Sequence, residues 1–155
     1  MDNESKNAKY IVTELKTPNF SPEMVASYAE FATRILWMDK NVVPGAFQMN
    51  CSWYNKPDSE HLGYPHKHTV PEIIGFFGSN PDDPNNLNAE IELWLEDEMF
   101  ILTKSTMIFV PANMIHCPII LKRVDRPIFH FSVVNDGTYS LEKTETQTDW
   151  NENKI

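Results

Sequence analysis

The sequence is poor in cysteine and in basic residues, and it contains no long apolar run. Its two cysteines, Cys51 and Cys117, are too few for a disulfide framework and indicate a reducing compartment. No apolar run approaches the roughly 18 residues that would suggest a membrane span. Residues 1–9 lack the apolar core of a signal peptide. We therefore expect a cytoplasmic protein.

The charge balance excludes two classes of partner. The chain has 13 lysine and arginine residues against 22 aspartate and glutamate residues, which gives a formal net charge of −9. Nucleic acids and anionic membranes are both bound through basic surfaces, so we expect this protein to bind neither. With 155 residues, 41% of them hydrophobic, the chain is long enough for one globular domain with a buried core.

Changes in composition mark the ends of this domain. Residues 1–9 are polar, and we expect them to be disordered. The last residues, 135–155, become polar again and are interpreted as a C-terminal tail. Residues 10–134 then form a single domain.

One helix is predicted, near the N-terminus. Residues 10–15 are typical of a short strand, and the helix follows them. Ser21 is typical of an N-cap and Pro22 of the first helical position. Apolar side chains then recur at spacings of four and three residues up to Ile35, which predicts a helix end near residues 35–37.

Short strands follow this helix. Between residues 41 and 134, roughly eight short segments of strand character are bounded by turn-forming residues. This pattern predicts an all-β antiparallel sandwich or barrel with one short N-terminal helix. Met107 and Phe109 are predicted to face its core, with a place in the wall of a pocket as the alternative.

The predicted strand at residues 47–54 has an unusual polar face. Gln48, Asn50, Ser52 and Tyr54 alternate with apolar residues, so one face carries neutral amides and hydroxyls instead of charges. Such a face suits the lining of a water-filled pocket. It equally fits a strand that faces solvent, and both interpretations stay open.

Residues 65–72 (PHKHTVPE) hold three side chains of the metal-ligand type. In an extended segment successive side chains alternate between faces, so His66, His68 and Glu72 are predicted to share one face. A fourth candidate, His116, lies far enough along the chain to come from another strand. Imidazole and carboxylate groups that converge in this way bind divalent transition metals.

Together with Gly78 and residues 111–116 (PANMIH), this pattern resembles the two sequence motifs of the cupin superfamily. The resemblance covers residues 60–120 closely and implies a double-stranded β-helix of the cupin or jelly-roll type. It also implies a bound divalent transition metal ion, namely Fe, Mn, Ni, Zn or Cu. The ligands that it implies are His66, His68, Glu72 and His116. Ser105 and Asn113 replace two motif glycines, and asparagine tolerates a left-handed turn well.

The four side chains also indicate an open metal site on chemical grounds. Three imidazoles and one carboxylate leave two positions of a six-coordinate ion for water, dioxygen or an oxyanion. A closed structural zinc site would more often use cysteines. Cys117 is expected to point away from His116 along a regular strand and to be a buried, inert thiol.

These features predict a small metal-dependent enzyme that acts on a small organic substrate. Dioxygenase-type oxidation is favoured over isomerase or lyase chemistry on an oxyanion. Tyr54 and His130 are the candidate catalytic acid and base. The alternative from another class is a non-catalytic cupin that binds a small molecule. The resemblance further implies a homodimer, because small cupins often pair.

Overall fold

Two antiparallel sheets of five strands each form the body of the protein. The computed structural model describes residues 5–136 and 142–143. Most of the predicted tail, residues 135–155, therefore lies outside the described residues, as do residues 1–4. The predicted all-β class with one α-helix is confirmed.

Ten strands follow a short 3-10 helix and one α-helix. The 3-10 helix spans Ala8–Tyr10 and the α-helix, α1, spans Pro22–Ala29. The first five strands are β1 Ala32–Met38, β2 Gln48–Tyr54, β3 His66–Lys67, β4 Glu72–Phe77 and β5 Asn86–Leu95. The other five are β6 Glu98–Lys104, β7 Thr106–Val110, β8 His116–Val124, β9 Ile128–Val134 and β10 Glu142–Lys143. No helix in the described ranges is long and apolar enough to cross a membrane.

The strand order divides the residues of the sequence motif between the two facing sheets. The first sheet has the order β1-β2-β9-β4-β7, and the second has the order β10-β3-β8-β5-β6. Glu72 begins β4 in the first sheet. His66 on β3 lies directly opposite His116 on β8 in the second sheet. Residues far apart in the sequence therefore meet in the space between the sheets.

Apolar side chains from both sheets fill part of this space. The second sheet supplies Leu87, Ile91 and Leu93 from β5, none of them more than 1% exposed. The first sheet supplies Phe76 and Ile128, both fully buried. Burial of side chains of this size contributes about 1.5–3 kcal/mol each, so this apolar region holds the two sheets together.

The predicted helix is too long. Ser21 does cap α1, because its side-chain oxygen accepts a hydrogen bond of 3.2 Å from the backbone N–H of Met24. The helix nevertheless ends at Ala29, and the following residues form β1, which pairs with β2. The prediction of a helix end near residues 35–37 is therefore wrong. This segment is rich in β-branched and aromatic residues, which favour a strand once a partner strand is present.

The predicted strand at residues 10–15 is also wrong. The 3-10 helix ends at Tyr10, and the chain then runs without regular structure to Ser21. Tyr10 and Ile11 are 59% and 71% exposed. A lone strand is not stable without a partner, and none of the described strands pairs with this segment.

Strand β7 has apolar side chains on both faces. Ile108 and Val110 are buried, whereas Met107 and Phe109 are 70% and 63% exposed. The prediction that Met107 and Phe109 belong to the core is therefore wrong. Both sets of alternating positions are apolar, so the hydrophobic pattern alone does not decide which set faces inward.

Gly78 and Gly45 are constrained by different features of the fold. A Cβ atom added to Gly78, just after β4, would overlap the backbone carbonyl oxygen of Asn86 on β5. The N–H of Gly78 also donates a hydrogen bond of 2.9 Å to Ser105 Oγ. Gly45 has a φ of +85°, but an added Cβ would meet nothing within 4 Å. Close packing thus constrains Gly78, and backbone conformation constrains Gly45.

We expect Gly78→Ala to lower the free energy of unfolding by about 3 kcal/mol, because a backbone carbonyl has no room to move aside. Gly45→Asn should lower it by less than about 1 kcal/mol, because asparagine tolerates the left-handed region. Urea unfolding followed by circular dichroism measures both values. Wild-type stability in Gly78→Ala would contradict the close approach of these two strands.

Candidate metal centre

Four buried side chains meet between the sheets near one end of β4. The atoms that His66, His68, Glu72 and His116 offer to a metal ion all lie within 4.8 Å of one another. Between His68 and Glu72 the chain crosses from the second sheet to the first. The side chains therefore converge from facing sheets, and not from one face of a single extended segment, as their spacing predicts.

Backbone carbonyl groups fix the orientation of two of the imidazoles. His66 Nδ1 lies 2.7 Å from the carbonyl oxygen of Tyr64, and His116 Nδ1 lies 3.1 Å from that of Met114. A carbonyl oxygen only accepts hydrogen bonds, so each Nδ1 carries a proton. A hydrogen bond from His116 Nε2 to the Glu72 carboxylate requires a proton on Nε2 as well, and a bound metal ion would replace that proton. The Nε2 atoms are then directed to the cluster, as in histidines that bind metals.

A turn before β8 brings His116 into place. Asn113 adopts a φ of 68°, and its N–H donates a hydrogen bond of 2.8 Å to the carbonyl oxygen of His68. This bond ties the segment before His116 directly to the first half of the motif. Asparagine performs here the conformational role that glycine has in the motif it resembles.

Glu72 is held as a carboxylate. Its Oε2 atom lies 2.9 Å from His116 Nε2 and 3.1 Å from His68 Nε2. Burial by itself raises the pKa of Glu72, but the hydrogen bonds from His116 and His68 outweigh burial and lower the pKa to about 2. The group is therefore ionised at neutral pH, which is the form that binds a metal ion.

His66 is held in its neutral form. Burial, and after it the nearby charge of His116, lowers the pKa of His66 to about 4. A neutral imidazole keeps the lone pair that ligation requires. The donor types, their burial and their orientation thus fit a divalent transition metal ion.

Cys117 follows His116 but is not part of the cluster. It is buried, and burial raises the pKa of its thiol far above the usual range. Its φ of 73° interrupts the alternation of side chains in β8. Cys117 therefore lines the same cavity as His116, although a regular strand would have directed it to the opposite face.

The cluster lies in the wall of a cavity of about 800 Å³. The size is within the usual range for small-molecule sites. Gln48, Asn50 and Tyr54 also line this cavity, and all three are buried. The polar face of β2 therefore faces the cavity and not the solvent.

Both candidate acid–base residues line the same cavity. The rings of Tyr54 and His130 are stacked with centroids 4.6 Å apart. His130 Nδ1 donates a hydrogen bond of 3.0 Å to the carbonyl oxygen of Gly75, so Nε2 is the basic nitrogen of the ring. Burial lowers the pKa of His130 to about 4 and raises that of Tyr54 well above 10. Both rings are therefore uncharged at neutral pH.

Arg34 is a cavity residue that the sequence reasoning missed. The predicted helix includes this position, whereas Arg34 lies on β1 and lines the cavity. Its signal in the sequence is a single basic residue within the otherwise uncharged segment Ala32–Met38.

The burial of His130 predicts how the stability of the metal-free protein depends on pH. The pKa of His130 is about 4 in the folded protein and about 6.5 in an unfolded chain. Between these values the unfolded state binds more protons, so stability is complete above about pH 6.5 and falls as the pH approaches 4. The contribution of His130 is on the order of 3 kcal/mol.

We expect His130→Asn to reduce this fall, because its amide nitrogen can replace Nδ1 at the Gly75 carbonyl without titrating. His66 titrates in the same range, so part of the pH dependence should remain. Urea unfolding of chelator-treated protein at a series of pH values measures the difference. An unchanged pH dependence in the variant would contradict the buried, neutral state of His130.

Comparison with known proteins supports the fold. No protein-family model and no curated protein sequence matches the chain. A solved oxalate oxidase in complex with the substrate analogue glycolate is 12% identical, with a TM-score of 0.55 over 100% of this chain and 73% of that chain. The polyketide cyclase RemF from Streptomyces resistomycificus is 13% identical, with a TM-score of 0.50 over 79% of this chain and 80% of that chain. A cupin-2 domain from Rhodospirillum rubrum is 10% identical, with a TM-score of 0.48 over 79% and 72%.

At these identities the likeness concerns the fold and not the activity. The oxalate oxidase and the polyketide cyclase share the fold of this chain, and its two facing sheets carry a buried histidine and glutamate cluster where the sequence resembles the cupin motifs. This chain therefore has the cupin fold, with that cluster between its two sheets.

Proposed function

We propose that this protein is a metal-dependent enzyme that acts on a small organic substrate. The observation that carries the proposal is the burial of four convergent donor groups, all within 4.8 Å, in the wall of a cavity. The proposed ligands of a divalent Fe, Mn, Ni, Zn or Cu ion are His66, His68, Glu72 and His116.

The four side chains occupy at most four positions of such an ion. When bound, the ion supplies Lewis acidity and, if it is redox-active, the ability to activate dioxygen beside the substrate. The chain itself would position the substrate through the polar face of β2 and exclude bulk water by burial. His130 Nε2 is available to accept a proton, because the ring is neutral and its other nitrogen is bound to Gly75.

Dioxygenase-type oxidation is the reaction that we favour, since the donor set leaves room for both a substrate oxygen and dioxygen. Isomerase or lyase chemistry on a small oxyanion is the alternative, and His130 in the cavity wall, with an unprotonated Nε2, is its candidate base. The neighbours of like fold include both an oxidase and a cyclase, so the fold does not choose between these reactions.

A non-catalytic binding protein is the candidate from another class. One observation favours it: the phenol of Tyr54 is 2% exposed, and burial raises its pKa well above 10. Tyr54 therefore loses no proton near neutral pH, and its catalytic role is limited to donating a hydrogen bond. Only His130 then remains as a base among the two predicted acid–base residues.

Two further expectations remain predictions. The homodimer is supported by exposed apolar side chains on the outer face of the first sheet, where Met107, Phe109 and Ile73 are 70%, 63% and 41% exposed. Covering such a face by a second copy would remove it from water. A cytoplasmic location is supported by Cys51 and Cys117, which are both free thiols.

Protein purified without a histidine tag should contain one transition metal ion per chain. His66→Ala and His116→Ala should each lose most of it, because each substitution removes a buried ligand. His61→Ala is the matched control: its imidazole is outside the cluster and is bound to Asp58 at 2.6 Å. Elemental analysis measures the metal content. A metal-free wild type, or metal retained in both cluster variants, would overturn the proposed site.

The metal-replete protein should consume oxygen in proportion to substrate when tested on a panel of organic acids, phenols and enols. An oxygen electrode and substrate analysis by chromatography measure the two quantities, with chelator-treated protein and His66→Ala as inactive controls. Conversion that continues at the same rate under argon would exclude the oxidative route and favour isomerase or lyase chemistry. Stable binding without conversion in either atmosphere would favour the binding protein.

A further inference from the structure

A bulge in β1 directs two side chains of that strand to the cavity. Arg34 pairs with Ser52 of β2, and Leu36 pairs with Cys51, so Ile35 is an extra residue on β1. After the bulge Trp37, and not Leu36, lies on the same face as Arg34. Both side chains line the cavity.

Three aromatic rings surround the guanidinium group of Arg34. Its central carbon lies 4.3 Å from the ring centroid of Tyr28, 5.0 Å from that of Phe20 and 5.3 Å from that of Trp37. Tyr28 comes from α1, and Phe20 comes from the segment before it. Contacts of this kind stabilise a cation and hold it in place, but they do not satisfy its N–H donors.

No acidic group of the described part of the chain neutralises Arg34. No carboxylate there lies within 4.0 Å of its guanidinium nitrogens, and its Nε atom is buried without a hydrogen-bond partner. Asp39, which follows β1, accepts hydrogen bonds from Trp37 Nε1 at 3.0 Å and from the backbone N–H groups of Asn41 and Val42. Among residues 5–136, a fixed cation in the wall of a cavity is thus left without an ion pair, in a protein whose net charge is −9.

Gln48 supplies an independent sign of a missing polar partner. It is 1% exposed and lines the cavity, yet neither its side-chain oxygen nor its nitrogen has a hydrogen-bond partner. Gln48 and Glu72 lie in one row of the first sheet, with Val134 of β9 between them. Their Cα atoms are therefore about 10 Å apart. Buried amides are rarely left without partners, so this one indicates a polar ligand group close to the cluster.

We propose that the cavity binds an organic acid, with its carboxylate on Arg34 and an oxygen substituent near Gln48 and the cluster. Arginine presents N–H groups in a fork that matches a carboxylate. Gln48 can donate to and accept from a hydroxyl group at once. Apolar side chains also line the cavity, with Met24, Val25 and Ile119 among them. The ligand class is therefore an amphipathic acid with an apolar body.

The geometry sets a minimum length for this ligand. Arg34 lies on β1 and Glu72 on β4, so two strands, β2 and β9, separate their strands in the sheet. At the usual strand spacing this is about 14 Å between strand axes, which the long arginine side chain shortens. We therefore expect a two-carbon acid to be too short to contact both ends. The inference rests on the proposed function only in taking the cluster as the site where the ligand reacts.

The probes are arylalkanoic acids with two to six carbons between a phenol ring and the carboxylate, each compared with its uncharged primary amide. Isothermal titration calorimetry on the metal-replete protein should show at least one acid that binds about tenfold or more tightly than its amide. Arg34→Met should abolish this preference. Arg34→Lys keeps a charge but not the fork, and it should retain only part of the preference.

Several outcomes would overturn the inference. Equal binding of acid and amide throughout the series in the wild type, or no binding at all, excludes a carboxylate site. A full preference in Arg34→Met, with its fold verified by circular dichroism, excludes Arg34 as the anchor. If Arg34→Met does not fold, the comparison of acid and amide binding in the wild type and in Arg34→Lys still tests the carboxylate site.

One variant separates this inference from the proposed function. His66→Ala removes a cluster residue but leaves β1 intact. If it binds no metal and still prefers acids over amides, the carboxylate site is supported independently of the metal. If the wild type holds no metal but shows the preference, the proposed function fails while the inference stands.

Gln48→Leu should lower the affinity for hydroxylated probes more than the affinity for their unsubstituted analogues. Equal effects on both affinities would exclude the role of Gln48.

Discussion

The shared contact of the Glu72 carboxylate with His68 and His116 is the interaction on which the site depends. A buried carboxylate without partners would cost several kcal/mol. Glu72 comes from the first sheet and His116 from the second, so this contact joins the sheets at the point where their inner surfaces are polar. Elsewhere, the burial of leucine and isoleucine side chains holds the two sheets together. The loss of Glu72 or His116 would remove a hydrogen-bond partner from a buried polar group, so ligand geometry and sheet packing are coupled.

The space between the sheets is divided into an apolar part and a polar part, and strand register explains the division. On β2 and β9, inward-facing polar residues lie opposite each other: Ser52 pairs with His130, and Asn50 pairs with Ser132. The polar positions of two adjacent strands therefore coincide and form a continuous stripe. A stripe of this kind lowers the hydrophobic contribution of the sheet. Its position beside the cluster indicates that it serves ligand binding more than stability.

Local features of the fold and site could be predicted from the sequence. The N-cap at Ser21, the alternation on β2 and the spacing of His66, His68 and Glu72 are all properties of short segments. His116 required the resemblance to a known motif, because no spacing rule links positions on separate strands. The inner face of β7 and the end of α1 could not be predicted, because both depend on which strand packs beside the segment.

The bulge in β1 shows most clearly why the remainder of the site was missed. The apolar spacing of this segment is typical of the end of an amphipathic helix, but the segment forms an edge strand. One extra residue, Ile35, changes which side chains face inward. Only with that extra residue do Arg34 and Trp37 lie on the same side of the sheet.

Arg34 then stands at one end of a row that continues through Ser52, His130 and Phe76. The polar stripe leads from this row towards Gln48 and Glu72. A cation, a stripe of neutral polar groups and a cluster of metal-ligand type thus follow one another along a single inner surface. A single elongated ligand explains this arrangement more simply than separate roles for each residue.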